Sequence, residues 1–96
     1  MKDPDLTPVH PGEILKEDFL LPMEISEYRL AKDIHVQQTR ISAIVKGERG
    51  ISTDTALRLA RYFGTTPDLW LNLQQRFELL TTQQALEPEL ANITPR

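Results

Sequence analysis

Eight polar side chains between residues 26 and 49 have the chemistry needed to contact nucleic acid. Amide, hydroxyl and guanidinium groups exchange hydrogen bonds with base edges, while serines and cations also contact phosphates. These residues are Ser26, Gln37, Gln38, Thr39, Arg40, Ser42, Lys46 and Arg49. Whether they act together depends on the helices that hold them.

The charge of the chain is unevenly distributed. The net charge of -3 argues against DNA binding through bulk positive charge, so a local basic surface is needed. Residues 1–28 carry two lysines against seven acids, whereas residues 29–49 carry five cations against two acids. The second segment is a candidate contact surface for DNA, although a short charge cluster is more often only a solvated helix surface.

Other kinds of functional site find little support. The chain has no cysteine, and its two histidines, His10 and His35, stand far apart with no third ligand at a metal-binding spacing. There is no glycine-rich phosphate loop, no nucleophile elbow and no base paired with a nucleophile. We therefore expect no metal, no cofactor and no enzymatic activity.

The length and hydropathy of the chain limit its organisation. Ninety-six residues with 40% hydrophobic content fit one compact domain. No apolar run approaches the roughly 20 residues that span a bilayer, and the N-terminus is acidic and proline-rich, unlike a signal peptide. The sequence predicts a soluble, cytoplasmic protein with no membrane partner.

Apolar periodicity and helix-breaking residues predict an all-α fold of five helices. The first begins at Pro11 and ends before Pro22, the second runs from Ser26 to Ile34 or His35, the third from about Gln37 to Gly47, the fourth from Ser52 to Gly64 and the fifth from Thr66 to about Leu80. From Thr81 the chain turns polar and contains Pro88 and Pro95, which predicts a frayed helix end and a flexible tail over residues 81–96. Residues 1–80 then form the domain.

The second and third helices can form a helix-turn-helix over residues 26–47. A small core shared by the two helices would hold the third helix outward; its members are Leu30, Ala31, Val36, Ile41 and Ile44. The exposed face would then carry Gln38, Thr39, Arg40 and Ser42, with Gln38 suited to adenine and Arg40 to guanine or a phosphate. The alternative is a helical corner with no role in DNA binding.

This segment resembles the helix-turn-helix of phage-repressor-like (XRE/Cro/C1) regulators. Leu30, Ala31, Ile41 and Gly47 occupy positions of that pattern. His35 stands where a glycine usually makes the turn, and Gln37 where a serine or threonine usually caps the recognition helix. Histidine is among the residues enriched at positive φ, and the missing cap costs about 1 kcal/mol, so both departures are tolerable.

A larger part of the chain resembles the HigA-type antitoxins. The resemblance covers about residues 9–80 and lies in HPGEIL at 10–15, IVKGERGIS at 44–52 and ALRLARYFGTTPDLWLNLQQRFEL at 56–79, with WLNLQ at 70–74 its most specific element. It implies a protein that binds and neutralises a RelE-like (HigB-like) mRNA-cleaving toxin and represses the operon that encodes both. The alternative is a stand-alone transcriptional regulator without a toxin.

Individual residues of these motifs have simpler interpretations. Trp70 and Leu73 are spaced three apart, which favours core packing. Their neighbours off that stripe either face solvent or contact a subunit or toxin; these are Asn72, Gln74 and Gln75. We interpret His10 as a helix-start residue and nothing more.

The sequence also indicates where a toxin and a second copy of the chain would bind. The acidic N-terminal region would complement a basic ribonuclease, so we expect the toxin to contact Asp3, Asp5, Glu13, Glu17 and Asp18. Because one short recognition helix reads only a few base pairs, we also expect a homodimer, with the fifth helix and the tail as candidates for its interface.

Overall fold

The computed structural model describes residues 7–96, and within that range the chain folds into five helices without a strand. They are α1, made of three segments at Pro11–Ile14, Leu15–Leu20 and Leu21–Met23, then α2 at Glu27–Ile34, α3 at Gln38–Val45, α4 at Thr53–Phe63 and α5 at Pro67–Leu90. The predicted all-α, five-helix fold is confirmed. None of the helices in the described range is both long and apolar enough to cross a membrane.

The first helix does not end before Pro22 as predicted. It continues to Met23, and its middle segment, Leu15–Leu20, is π-helical. At the end of that segment the N–H of Leu21 donates to the carbonyl of Lys16, five residues back. A proline ring inside a regular α-helix would clash with the carbonyl four residues before it, and a wider π-helical turn is one way for a helix to accommodate it.

The predicted helix boundaries are confirmed at most other places. Ser26, Ser52 and Thr66 each cap the following helix by accepting a backbone N–H three residues ahead, at 3.0 to 3.2 Å. Gly47 and Gly64 end α3 and α4 with φ of 79° and 72°, a left-handed conformation that glycine adopts without steric cost.

The end of α5 lies at Leu90 rather than near Leu80, so its predicted end is wrong. Glutamine, alanine, leucine and glutamate dominate residues 83–87, and all four are good helix formers. Thr81 does not interrupt the helix, because its hydroxyl donates to the carbonyl of Phe77 at 2.9 Å. Pro88 lies inside the helix close to its end, where few backbone hydrogen bonds remain to be lost.

One apolar core joins the helices, with Trp70 fully buried inside it. α4 packs along α5, α2 packs on α3, and α1 contacts both α3 and α5. Phe19 lies 5.0 Å from Trp70 between ring centroids, and the indole Nε1 donates to Thr65 Oγ1 at 2.9 Å. The packing roles predicted for Trp70 and Leu73 are confirmed, with Leu73 partly buried against the core.

Candidate nucleic-acid interface

The predicted helix-turn-helix is present, and its two helices share the expected core. Leu30, Ile41 and Ile44 are fully buried, and Ala31 is nearly so. With Ile41 and Ile44 facing inward, α3 turns Gln38 and Thr39 to the solvent. These two side chains are therefore exposed, as predicted.

The turn between α2 and α3 accommodates the two residues that depart from the phage-repressor pattern. His35 adopts the left-handed conformation at φ 64°, and the N–H of Val36 donates to the carbonyl of Ala31 at 3.0 Å. Gln37 precedes α3 in an extended conformation and makes no side-chain cap hydrogen bond, as predicted. His35 therefore adopts the left-handed conformation for which glycine is the commonest residue at the end of a helix.

Arg40 is more constrained than predicted, because its guanidinium is tied to α4. Its Nη1 lies 2.9 Å from Asp54 Oδ1 and 3.3 Å from Thr55 Oγ1, and only 26% of its side chain is exposed. The expectation of a freely exposed Arg40 is wrong. The pKa of the Asp54 carboxyl is lowered from its ordinary value, mostly by the hydrogen bond from Arg58 and next by the one from Arg40.

Ser42 also turns toward the protein rather than outward. Its hydroxyl donates to Glu27 Oε1 at 2.7 Å, a bond between α3 and the first turn of α2. Ser42 is half-buried, so the expectation of an exposed side chain is wrong here too. Ser26 is exposed and caps α2, which leaves it at the surface where a phosphate contact was predicted.

Lys46 and Arg49 are both exposed, and they flank Gly47 in the loop after α3. The opposite end of α3 carries three exposed polar residues. Gln37 directly precedes the helix, and Gln38 and Thr39 are its first two residues. The structure thus places neutral polar groups at the start of α3 and basic groups after its end, with Arg40 and Ser42 anchored between them.

The proteins that this chain resembles also have a helix-turn-helix. A family model described as "Helix-turn-helix" matches residues 17–70. Antitoxin HigA-1 of Vibrio cholerae is 36% identical over 89 residues, which are 92% of this chain and 83% of that protein. The chain belongs to the HigA family of helix-turn-helix proteins. A solved HigA structure, from Pseudomonas aeruginosa with the higBA promoter, superposes with a TM-score of 0.90 at 41% identity and covers 93% of this chain and 98% of that one.

The chain is also similar to a protein that is not named as an antitoxin. Virulence-associated protein I of Dichelobacter nodosus is 49% identical over 80 residues, covering 83% of this chain and 74% of that protein.

His10 does more in this HigA-family chain than start a helix, so the interpretation of it as a helix-start residue alone is incomplete. Its Nδ1 accepts the N–H of Gly12 at 2.9 Å, which caps α1, and its ring lies 4.8 Å from Phe77 in an edge-on contact. Burial lowers the pKa of His10, and a hydrogen bond with the backbone of Arg49 opposes that shift. His10 therefore joins α1, α5 and the loop that carries Arg49.

Gln74 holds the other side of that loop, a role the sequence did not reveal. Its Oε1 accepts the N–H of Ile51 at 2.7 Å, and its Nε2 donates to Glu78 at 2.9 Å. Gly50 packs against the Gln74 amide, so closely that a Cβ at that position would lie 2.7 Å from Nε2. Asn72 and Gln75 are exposed.

The acidic residues predicted to face a toxin fall into two groups. Glu13, Glu17 and Asp18 are exposed on α1. Asp3 and Asp5 lie outside the described residues. The exposed acids lie on α1, whereas Gln38 and Thr39 lie on α3.

Proposed function

We propose that this chain is the antitoxin of a type II toxin-antitoxin system. It binds its own operator through α3 and represses the operon, and it neutralises a RelE-like mRNA-cleaving toxin. The observation that carries the DNA-binding part of the proposal is the orientation of α3, with Ile41 and Ile44 buried beneath it and Gln38 and Thr39 exposed. The Pseudomonas aeruginosa HigA that the chain resembles was solved with the higBA promoter, which supports DNA as the ligand of this surface.

The contacts to DNA divide into base readout and backbone contacts. Gln38 offers an amide that matches the hydrogen-bonding edge of adenine, and Arg40 retains donors for a guanine or a phosphate. Lys46 and Arg49 are exposed cations at the end of α3 and in the loop, which suits them to phosphates. Ser26, at the start of α2, adds a hydroxyl within the same segment.

A comparison of two substitutions tests this division. Gln38→Ala should cost about 1–3 kcal/mol of affinity for the DNA upstream of the protein's own gene and little on random DNA. Arg49→Ala should weaken binding to both DNAs alike, with a shallower salt dependence. Equal losses for Gln38→Ala on both DNAs would remove it from base readout.

The protein should bind DNA as a homodimer, since one short helix reads too few base pairs for regulatory affinity. α5 offers a surface for this contact. Leu79, Leu86 and Leu90 follow one another on one face of the helix and are 56%, 38% and 42% exposed. A second copy can cover this stripe with its own, and the operator would then contain two half-sites about 34 Å apart or a multiple of that distance.

The toxin partner is proposed from family membership and charge. Glu13, Glu17 and Asp18 form an exposed acidic patch on α1 that complements a basic ribonuclease. Co-expression with a neighbouring reading frame of basic composition should yield a complex and restore growth, while the protein alone should not cleave RNA. Failure to copurify with such a product, together with intact operator binding, would leave a stand-alone regulator.

A further inference from the structure

We propose that Asp54 is a positioning residue for DNA recognition: its carboxylate fixes the guanidinium of Arg40 beside α3 and so raises the preference for operator over random DNA. This inference rests on the proposed function, because it requires α3 to enter the operator groove. Asp54 lies on α4, outside the helix-turn-helix itself.

The carboxylate of Asp54 is itself held in place from the other side. Its Oδ1 accepts a hydrogen bond from Arg58 Nε at 2.7 Å as well as the bond from Arg40 at 2.9 Å. Arg58 in turn donates through Nη1 to the carbonyl of Ile34 at 2.8 Å, at the end of α2. The chain of contacts therefore runs from α2 through α4 to α3, and it fixes Arg40 relative to both helices of the helix-turn-helix.

Arg40 keeps the capacity to contact DNA while it is held. Within residues 7–96, both of its side-chain hydrogen bonds use Nη1, at 2.9 Å to Asp54 and 3.3 Å to Thr55. A guanidinium carries five N–H donors, so those on Nε and Nη2 remain for a base edge or a phosphate. Thr55 is buried and bonded to Ser52, so this second anchor is also rigid.

A carboxylate at this surface opposes DNA binding unless it also contributes to recognition. The Asp54 side chain is 56% exposed, and a negative charge near the expected path of DNA repels phosphates. Orientation of Arg40 supplies such a role, because a side chain held before binding loses less rotamer freedom when it meets its base. A free arginine would instead reach any nearby phosphate, which strengthens binding without regard to sequence.

The test measures the ratio of affinities for two duplexes of equal length, one from upstream of the protein's own gene and one of random sequence. The full chain is compared with Asp54→Asn, with Arg40→Ala and with the double variant. Asp54→Asn should lower the ratio roughly ten-fold, within the range of one good base contact, and should bind random DNA somewhat more tightly. In the Arg40→Ala background, Asp54→Asn should lower the ratio no further.

Two further variants separate geometry from charge. Asp68→Asn removes one exposed negative charge from the first turn of α5 and should leave the ratio unchanged. Asp54→Glu keeps the charge but shifts the carboxylate by one methylene group, so it should lower the ratio as Asp54→Asn does. Asp54→Glu also tests the contact between Asp54 and Arg40 if the Asp54→Asn variant does not fold.

The outcomes separate the two proposals. If the unaltered chain prefers its own upstream DNA but Asp54→Asn and Asp54→Glu keep the full ratio, the positioning role is overturned and the proposed function stands. An equal effect of Asp54→Asn in the presence and absence of Arg40 also overturns it. If the unaltered chain shows no preference between the two duplexes, the proposed function fails, and the positioning role fails with it.

Discussion

Gly12 packs against the carbonyl oxygen of Ile44 so closely that a Cβ on the glycine would overlap that oxygen. The contact joins the first turn of α1 to the last part of α3, and it holds α3 on the buried side of that helix. Since the obstacle is backbone rather than a flexible side chain, Gly12→Ala should force α1 and α3 apart. We expect a loss of about 3 kcal/mol in the free energy of unfolding, measured by urea denaturation.

Gly64→Ala is the matched control for this substitution. Gly64 has φ of 72°, and a Cβ there would meet nothing within 4 Å, so only the left-handed conformation is strained. That strain costs about 1 kcal/mol. A Gly12→Ala variant no less stable than Gly64→Ala would show that the approach of α1 to α3 is not tight.

The burial of His10 predicts a pH dependence of stability. Burial lowers the pKa of His10 below its ordinary value of 6.5, so the unfolded chain binds a proton at a higher pH than the folded chain does. The contribution of His10 is therefore fully present above about pH 6.5 and is lost as the pH falls toward the lowered folded pKa. Protonation also removes the Nδ1 lone pair that accepts the N–H of Gly12.

His10→Asn tests this dependence, because asparagine is a good N-cap that does not titrate near neutral pH. Urea denaturation between pH 5 and 8 should show a shallower fall in stability for His10→Asn than for the unaltered chain. His35→Asn changes the other histidine at a left-handed position that asparagine tolerates, and it retains His10. The His10 assignment fails if the two variants show the same pH profile.

If the exposed stripe of Leu79, Leu86 and Leu90 on α5 forms the dimer interface, charged residues placed in it should separate the two copies. Leu86→Glu together with Leu90→Glu should place like charges opposite each other in a symmetric interface, so the protein should become monomeric at micromolar concentration. Operator affinity should then fall, while each monomer stays folded because both side chains are already partly exposed. Analytical ultracentrifugation with a DNA titration measures both effects.

Leu57→Glu provides the control for a change of charge at an exposed leucine. Leu57 is 54% exposed on α4, away from the stripe, so this variant should remain dimeric. A double variant at Leu86 and Leu90 that still sediments as a dimer would place the interface elsewhere.

The helix boundaries were largely readable from the sequence because they depend on single residues. Ser26, Ser52 and Thr66 cap helices through their own side chains, and Gly47 and Gly64 end them through their own backbone. Local chemistry of this kind is visible without knowledge of the fold. The same holds for the buried face of α3, which follows from helical spacing.

The contacts that refine the candidate site were not predictable in this way. Arg40 meets Asp54 across 14 residues of chain, Ser42 meets Glu27 across 15, and Ile51 meets Gln74 across 23. Helical spacing indicates which face of α3 points outward, but it does not show which polar groups a neighbouring helix brings alongside. Spacing therefore placed Arg40 and Ser42 on the exposed face of α3, whereas the structure shows both of them bonded to other helices.

We propose that DNA and toxin bind different surfaces of the molecule, the DNA at α3 and the toxin at the exposed acids of α1. Gln38→Ala alters the DNA surface with little effect on the fold, since Gln38 is exposed, whereas Arg40 is tied to Asp54 and is less suitable. Glu13→Lys, Glu17→Lys and Asp18→Lys, combined, reverse the acidic patch of α1.

Affinities for operator and for toxin, measured for both variants in one buffer, test this claim most directly. Gln38→Ala should lose about 1–3 kcal/mol at the operator and bind toxin as the unaltered chain does. The acidic-patch variant should associate with toxin more slowly, with a marked salt dependence, and should hold the operator equally or more tightly. A folded Gln38→Ala protein that also fails to bind toxin would contradict the claim, because the two surfaces would then overlap.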